Sequence, residues 1–172
     1  MTAFRDEPET FNRVDWQLLQ NGPINLYWRD EYLAEHCRWL GDNGYQLNQV
    51  DSSAWDTEQA MHHDVALCLG FPDYYGKNLH ALNDCVSDLA VPATGGRAIV
   101  FRKYDAFARA CPSAAQILLD ILADQSRRFL LFGLRLITLV QSDDPSIEFV
   151  PVGATSVNWN PREWLNSSRD LQ

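Results

Sequence analysis

The sequence predicts a single α/β domain with a small, mostly parallel β-sheet that is covered by helices. Two observations predict this class. Short segments rich in β-branched residues alternate along the chain with longer segments of helical periodicity. Hydrophobic residues make up 46% of the 172 residues, which is typical of a globular protein with one real core. Strands that alternate with helices form parallel sheets with right-handed crossovers, so we expect this topology.

Strands are predicted where short apolar runs lie between turn residues. The predicted strands are 24–28, 45–50, 97–102 and 134–141. The segment "IEFVPV" at 147–152 favours an edge strand, because Pro151 has no N–H to donate to a central ladder.

The predicted helices begin at capping residues and end at glycine or proline. Asp30 is a predicted N-cap for a helix that Gly41 and Gly44 end. Asn78 is the predicted cap of another, and Pro112 opens a long one. Besides the helix that begins at Asp30, the predicted helices are therefore 57–69, 79–89 after Asn78, and 112–130 from Pro112. The two tryptophans of "NWNPREWL" (158–165) are expected to hold the tail on the body.

Charge and composition exclude several classes of protein. The net charge of −9, from 23 acidic and 14 basic residues, disfavours direct binding of nucleic acid and favours a basic partner, although solubility alone also explains such a charge.

The longest apolar run, 129–140, contains Arg135 and is too short to span a membrane. An acidic start without an apolar run indicates no signal peptide. The four widely spaced cysteines are expected to be reduced, and the sequence therefore predicts a cytoplasmic protein.

The segment "FPDYYGKNLHALNDC" at 71–85 is the most informative part of the chain. Its predicted helix has one apolar face, and its other face is polar. That polar face consists of His80, Asn83, Asp84, Ser87 and Asp88. Tyr74, Tyr75 and Gly76 lie directly before the helix, and tyrosines beside a polar helical face are typical of protein-binding hot spots. One of the two tyrosines is expected to be core. A solvated helix face is the alternative interpretation.

Catalysis and metal binding are the other interpretations of these residues. His80 and Asp84 lie four residues apart and face the same way, as a general base or half of a metal site would require. The sequence places no nucleophile beside them and has neither HExxH nor a glycine-rich phosphate loop. His62 and His63 point about 100° apart on their helix and are expected at the surface. We therefore expect no enzyme, no metal and no cofactor.

The same segment closely resembles the signature of the barstar family, small intracellular inhibitors of secreted bacterial ribonucleases. The matching positions are Pro72, Tyr74, Tyr75, Gly76, Asn78, Leu79, Ala81, Leu82 and Asp84. The order of predicted elements extends the resemblance over about 45–141. This core is flanked by an N-terminal β-α extension (1–44) and a C-terminal strand and tail (142–172), all in one predicted domain.

The resemblance implies a ribonuclease inhibitor of the toxin-immunity type. Such inhibitors insert the loop and helix into the nuclease active site, where a carboxylate replaces the RNA phosphate. The partner-binding residues implied, with the neighbours on the same surface, are Tyr74, Tyr75, Gly76, Asn78, Leu79, His80, Asn83, Asp84 and Asp124. Asp124 also fits an ordinary solvated ion pair with Arg128.

Two positions depart from the family pattern, since His80 replaces an aspartate and Asn83 replaces a tryptophan. The expected partner is a basic ribonuclease or a related toxin protein, and the oligomeric state is open. The alternative is a regulatory module that keeps the barstar-like fold and binds a protein other than a nuclease.

Overall fold

Five parallel strands form one sheet in the computed structural model, which describes residues 2–164. The strands are β1 (Ile24–Tyr27), β2 (Tyr45–Asp51), β3 (Gly96–Arg102), β4 (Leu136–Gln141) and β5 (Asn158–Trp159). Their order is β2-β3-β4-β1-β5, and every neighbouring pair is parallel. The predicted α/β class is therefore confirmed. The division of the chain at residues 44 and 142 stays a prediction, and residues 165–172 of the predicted tail lie outside the described part.

Seven α-helices accompany the sheet within the described residues. They are α1 (Val14–Leu19), α2 (Asp30–Asp42), α3 (Glu58–Leu69), α4 (Leu79–Ser87), α5 (Tyr104–Ala110), α6 (Pro112–Leu131) and α7 (Pro161–Trp164), and a 3-10 helix precedes them at Pro8–Asn12. The four predicted helices are confirmed with small shifts at their ends. The side chain of Thr57 caps α3, and that of Asn78 caps α4. The short helices were not predicted, because one or two turns are too short to show a periodicity.

The direction in which the chain crosses the sheet determines where the helices lie. From β2 through β3 to β4 each step moves to the adjacent strand, with α3 to α6 on one face. The step from β1 to β2 runs the opposite way past β4 and β3, so a right-handed crossover places α2 on the other face. Side chains alternate accordingly: Ile99 and Phe101 pack under α3 to α6, and Ala98 and Val100 pack under α1 and α2.

The predicted edge strand at 147–152 is wrong. Ile147 and Val152 are buried in the core beneath α6, and the backbone between them pairs with a side chain instead of a strand. The Gln116 amide donates to the carbonyl of Val150 (3.0 Å) and accepts from its N–H (3.2 Å). Pro151 follows without an N–H, so no ladder can continue. The apolar residues of this segment, which indicated a strand, instead pack against α6.

The edge of the sheet is formed by β5, which pairs with β1. The chain beyond it is held by α7, where the fully buried Glu163 carboxylate accepts hydrogen bonds from the backbone N–H groups of Trp28 and Arg29. Arg162 lies 4.1 Å from the centre of the Tyr32 ring. Trp164 is 52% exposed. Trp159, by contrast, packs against the core and pairs with β1. One of the two tryptophans therefore holds the tail as expected, together with Glu163 and Arg162.

A buried histidine links β1 to α2 and makes the fold sensitive to acid. The Tyr27 hydroxyl lies 2.7 Å from Nδ1 of His36, and burial lowers the pKa of His36 to about 4. An unfolded chain, with a histidine pKa of about 6.5, takes up a proton between pH 6.5 and 4 that the folded protein does not. Stability from this group is therefore complete above pH 6.5 and declines as the pH falls toward 4.

We expect His36 to account for about 2 kcal/mol of the stability lost between pH 7 and pH 5. Urea unfolding at the two pH values should show a smaller loss for His36→Asn than for the natural protein. His63→Asn, which changes an exposed histidine of α3, serves as the control and should keep the natural dependence. Equal pH dependence in the His36 variant and the natural protein would contradict this assignment.

Candidate protein-binding site

The loop that connects α3 to α4, residues 70–78, is here called the signature loop. Two residues with left-handed backbone lie near its ends, Gly70 (φ 70°) and Lys77 (φ 47°). Asn78 closes the loop, because its Oδ1 accepts from the N–H of Ala81 (2.9 Å) and its Nδ2 donates to the carbonyl of Gly76 (3.2 Å). A Cβ atom at Gly76 would lie only 3.1 Å from that Nδ2. Gly76 therefore permits a close approach without a left-handed backbone.

The two adjacent tyrosines of the signature loop have opposite environments. Tyr74 is 87% exposed, whereas Tyr75 is 8% exposed and packs against Phe71 with ring centres 5.0 Å apart. The Tyr75 hydroxyl lies 2.5 Å from Nδ1 of His62, and Nε2 of His62 lies 3.2 Å from a carboxylate oxygen of Glu58. Burial raises the pKa of the Tyr75 hydroxyl. A carboxylate only accepts, so Nε2 of neutral His62 carries the hydrogen directed at Glu58, and Nδ1 accepts from the Tyr75 hydroxyl.

Two sequence-based expectations change at this point. Tyr75 was predicted as a contact residue, but its buried ring supports the loop from below, as one of the two tyrosines was expected to do. His62 and His63 were both expected at the surface, but His62 is fully buried, whereas His63 is exposed. The reason is that His62 lies three residues before Val65 and seven before Leu69, on the core side of α3. Its two hydrogen-bond partners compensate for the loss of water.

Helix α4 presents the acidic part of the site. His80 and Asp84 are exposed, and Leu79 is half-buried against the core. Asn83 is half-buried, and its Oδ1 accepts from Nε2 of Gln125 on α6 at 2.9 Å. Within residues 2–164, no hydrogen bond or ion pair engages the Asp84 carboxylate. This acid is therefore accessible to a partner molecule without breaking an existing contact.

Tyr74 and Asp84 line the same groove, of about 300 Å³, between the signature loop and α4. Asp88 and Cys85 also line it, and Arg97 contributes to its wall. The Arg97 guanidinium donates to three neutral oxygens, from Ala90 (3.0 Å), Asn48 (3.1 Å) and Gln46 (2.7 Å). Within residues 2–164, it forms no ion pair with Asp84 or Asp88.

The thiol of Cys85 in this groove is not activated as a nucleophile. Burial raises the pKa of the Cys85 thiol, and the negative charges of Asp88 and Asp84 raise it further. The thiol consequently stays protonated near neutral pH, which disfavours nucleophilic attack. Within residues 2–164, no three His, Cys, Asp or Glu side chains are grouped so that they could hold a metal ion. No helix in that range is long and apolar enough to cross a membrane.

Asp124 lies on α6, next to the Gln125 whose side chain contacts Asn83 of α4. Its carboxylate forms an ion pair with Arg127, three residues along α6, and not with Arg128 as expected. Arg127 also donates to the carbonyl of Gly153, and the Gly153 N–H donates to Asp120 (2.8 Å). These contacts hold the C-terminal segment on α6. The ion-pair interpretation of Asp124 therefore holds with Arg127 as the partner, and a role of Asp124 at the rim of the site stays a prediction.

Three residues that shape the site were not identified from the sequence: His62, Gln125 and Arg97. Gln125 carried a usable signal. It lies in register with Leu118, Leu122 and Phe129 on the apolar face of α6, and a polar residue in such a stripe indicates a buried hydrogen bond. Arg97 lies directly before the apolar run Ala98–Phe101 of β3, which is a weaker signal of the same kind.

The fold and the groove define a parallel α/β protein that presents exposed tyrosine and aspartate side chains from one loop and the helix after it. The pattern of the family described as Barstar (barnase inhibitor) matches residues 45–141, more than half of the chain, and the chain belongs to this family. The resemblance predicted from the signature is thereby confirmed over the predicted residues.

A curated relative covers part of this region. A protein of Bacillus subtilis (strain 168) named "Putative ribonuclease inhibitor YrdF" is 42% identical to the chain over 38 residues. The matched stretch is 22% of this chain and 42% of that protein, so the chain spans less than half the length of this relative.

The buried and exposed tyrosines should respond differently to loss of the hydroxyl. Tyr75→Phe leaves Nδ1 of buried His62 without a donor, and we expect the free energy of unfolding to fall by about 1–3 kcal/mol. Tyr74→Phe, the matched control, should change it by less than about 0.5 kcal/mol because the side chain is in solvent. Urea unfolding followed by tryptophan fluorescence measures both. Similar losses in the two variants would show that the Tyr75–His62 contact does not hold the loop.

Proposed function

We propose that this protein binds a basic ribonuclease and inhibits it by placing the Asp84 carboxylate in the nuclease active site. The observation that carries the proposal is the unpaired, exposed Asp84 on a fixed helix beside the exposed ring of Tyr74. A ribonuclease binds the phosphodiester of RNA with cationic and hydrogen-bonding side chains. A carboxylate presented at the same place accepts charge-assisted hydrogen bonds from those groups.

The site is organised before it meets a partner. Asn78 caps α4, Asn83 is bonded to Gln125 on α6, and Tyr75 is bonded to His62 beneath the loop. These contacts reduce the side-chain and loop entropy that binding would otherwise cost. Because Asp84 has no ion pair within residues 2–164, a partner cation gains its full interaction with the carboxylate.

Net charge favours the same class of partner. The chain carries −9, and opposite charges accelerate the diffusional encounter of two proteins. The description of the family refers to barnase inhibition, and the name of the Bacillus subtilis relative refers to a ribonuclease. Both support extending this role to the present chain. If the nuclease is a toxin, the same contact gives the cell immunity without any catalysis by the inhibitor.

The proposed contact surface consists of Tyr74, Gly76, Leu79, His80 and Asp84. Tyr75, Asn78 and Asn83 support it, and a role of Asp124 at its rim stays a prediction. We further propose that the protein acts in the cytoplasm, where its four free thiols remain reduced.

A second function is favoured by the two departures from the family pattern. His80 presents an imidazole where the pattern has an acid, and Asn83 is engaged by Gln125 where the pattern has a tryptophan. The surface thus has one carboxylate and one aromatic anchor fewer. A regulatory partner that is not a nuclease would suit such a surface, and this is the alternative that the binding experiments distinguish.

Asp84→Asn should reduce affinity for the cognate ribonuclease by about a hundredfold, since it removes one partner of a desolvated ion pair, a loss of about 3 kcal/mol. Calorimetric titration and RNA-cleavage assays against barnase and other basic secreted ribonucleases measure the effect. Asp42→Asn on the opposite face of the sheet changes the net charge equally and should leave affinity nearly unchanged.

A ribonuclease complex that tolerates Asp84→Asn with less than about a threefold change in affinity would overturn the role of this acid. If the natural protein inhibits no ribonuclease but retains a different protein from its native extract, and that binding requires Tyr74, the regulatory alternative is correct.

A further inference from the structure

A second cavity lies at the N-terminal ends of β2, β3 and β4, and it is lined by residues distinct from those of the signature groove. Its volume is about 510 Å³. Asn43, Gly95 and Arg135, which lie one or two residues before the three strands, form one side, and the first residues of the described chain form the other. The arginines of its lining are Arg5, Arg13 and Arg135. Such a concentration of cations is unexpected in a chain of net charge −9.

The fully buried Asp15 holds two of these arginines in place. Its Oδ1 accepts from Nε of Arg13 (2.9 Å) and from the backbone N–H of Trp16 (3.0 Å). Its Oδ2 accepts from Nη2 of Arg13 (2.8 Å), Nη1 of Arg135 (3.2 Å) and the hydroxyl of Tyr45 (2.7 Å). Five donors saturate this carboxylate, yet its charge neutralises only one of the two guanidinium groups. One positive charge is left over next to the cavity.

The two guanidinium groups are close enough to bind one anion together. Nη2 of Arg13 and Nη1 of Arg135 lie 2.8 Å and 3.2 Å from the same oxygen of Asp15, so they are no more than 6.0 Å apart, the sum of those distances. Within residues 2–164, this oxygen receives the one side-chain hydrogen bond of Arg135, whose other nitrogens remain available. An anion in the cavity can therefore reach both groups.

Aromatic rings fix the orientation of these cations. The guanidinium carbon of Arg13 lies 5.4 Å from the centre of the Trp39 ring, and that of Arg135 lies 5.2 Å from Phe4 and 5.7 Å from Tyr45. Guanidinium groups fixed in this way lose little entropy when they bind an anion. At the rim, Arg5 and Glu7 form an ion pair of 3.8 Å between exposed side chains, so this pair adds no net charge.

We infer that this cavity binds a phosphate group, either as inorganic phosphate or as the phosphate of a mononucleotide. A tetrahedral phosphate offers several oxygens at once to those N–H groups of Arg13 and Arg135 that Asp15 does not engage. Thr2 and Thr94 line the same cavity, and a threonine hydroxyl is a neutral donor to phosphate. The inference does not depend on ribonuclease inhibition, because no residue of the signature groove takes part.

Phosphate binding is tested by NMR titration of the ¹⁵N-labelled full chain at pH 7, with ionic strength held constant by sodium chloride. We expect saturable shifts of the Asn43 and Gly95 amides with sodium phosphate and with AMP, and no such shifts with adenosine. Tighter binding of AMP than of phosphate would identify a nucleotide, and equal binding would identify the phosphate group alone as the determinant. Absence of a saturable shift with both phosphate compounds would overturn the inference.

Variants separate phosphate binding from a purely structural role of the arginines. Arg135→Gln should weaken phosphate binding about tenfold or more. Arg109→Gln, on α5 after the C-terminal end of β3, removes an exposed arginine and should bind like the natural protein. A folded Arg135→Gln variant with unchanged affinity would contradict the site.

Asp15→Asn removes the opposing charge while keeping the shape of the side chain. Phosphate should then bind more tightly, by about tenfold, a gain that a structural clamp would not produce. If Arg135→Gln and Asp15→Asn do not fold, the Arg5→Gln variant tests whether the cavity binds phosphate. It changes an exposed residue and leaves Glu7 unpaired at the rim, so phosphate should bind several-fold more weakly. Unchanged binding by that variant would count against the site.

Discussion

The buried hydrogen bond between Tyr75 and His62 is the contact on which the signature loop depends. It connects the middle of the loop to the core side of α3, and Glu58 completes the chain of polar groups at the surface. A loop of nine residues with two left-handed positions would otherwise have many conformations. With Tyr75 fixed, the direction of its neighbour Tyr74 and the start of α4 are fixed as well. The position of Asp84 then follows from the geometry of the helix.

This arrangement separates the residues that stabilise the loop from those available to a partner. Tyr75, Asn78 and Asn83 are used internally, by His62, Ala81 and Gln125 respectively. Tyr74 and Asp84 face solvent. Changes on the exposed side can therefore alter the choice of partner with little effect on folding. His80 lies on this side, which explains how the position can differ from the family pattern while the fold is kept.

Much of the fold could be predicted from the sequence, because the four longer strands and four longer helices each carry a complete hydrophobic period and clear end signals. The segment 147–152 could not be distinguished from a strand, since its partner is the side chain of Gln116 and not a neighbouring backbone. In the site, the pattern identified Asp84 and its polar helical face. It could not reveal which of Tyr74 and Tyr75 is buried, because adjacent residues of a loop have no periodicity.

The strand order also has a consequence for the synthesis of the chain. Strand β1 is made early, but its two neighbours in the sheet, β4 and β5, begin at residues 136 and 158. Until those residues leave the ribosome, the backbone of β1 has no ladder partner, and its apolar side chains lack the surface on which they finally pack. Contacts of such long sequence separation close late and slowly. Of the five strands of this sheet, β1 is synthesised before the others and is among the last to be enclosed.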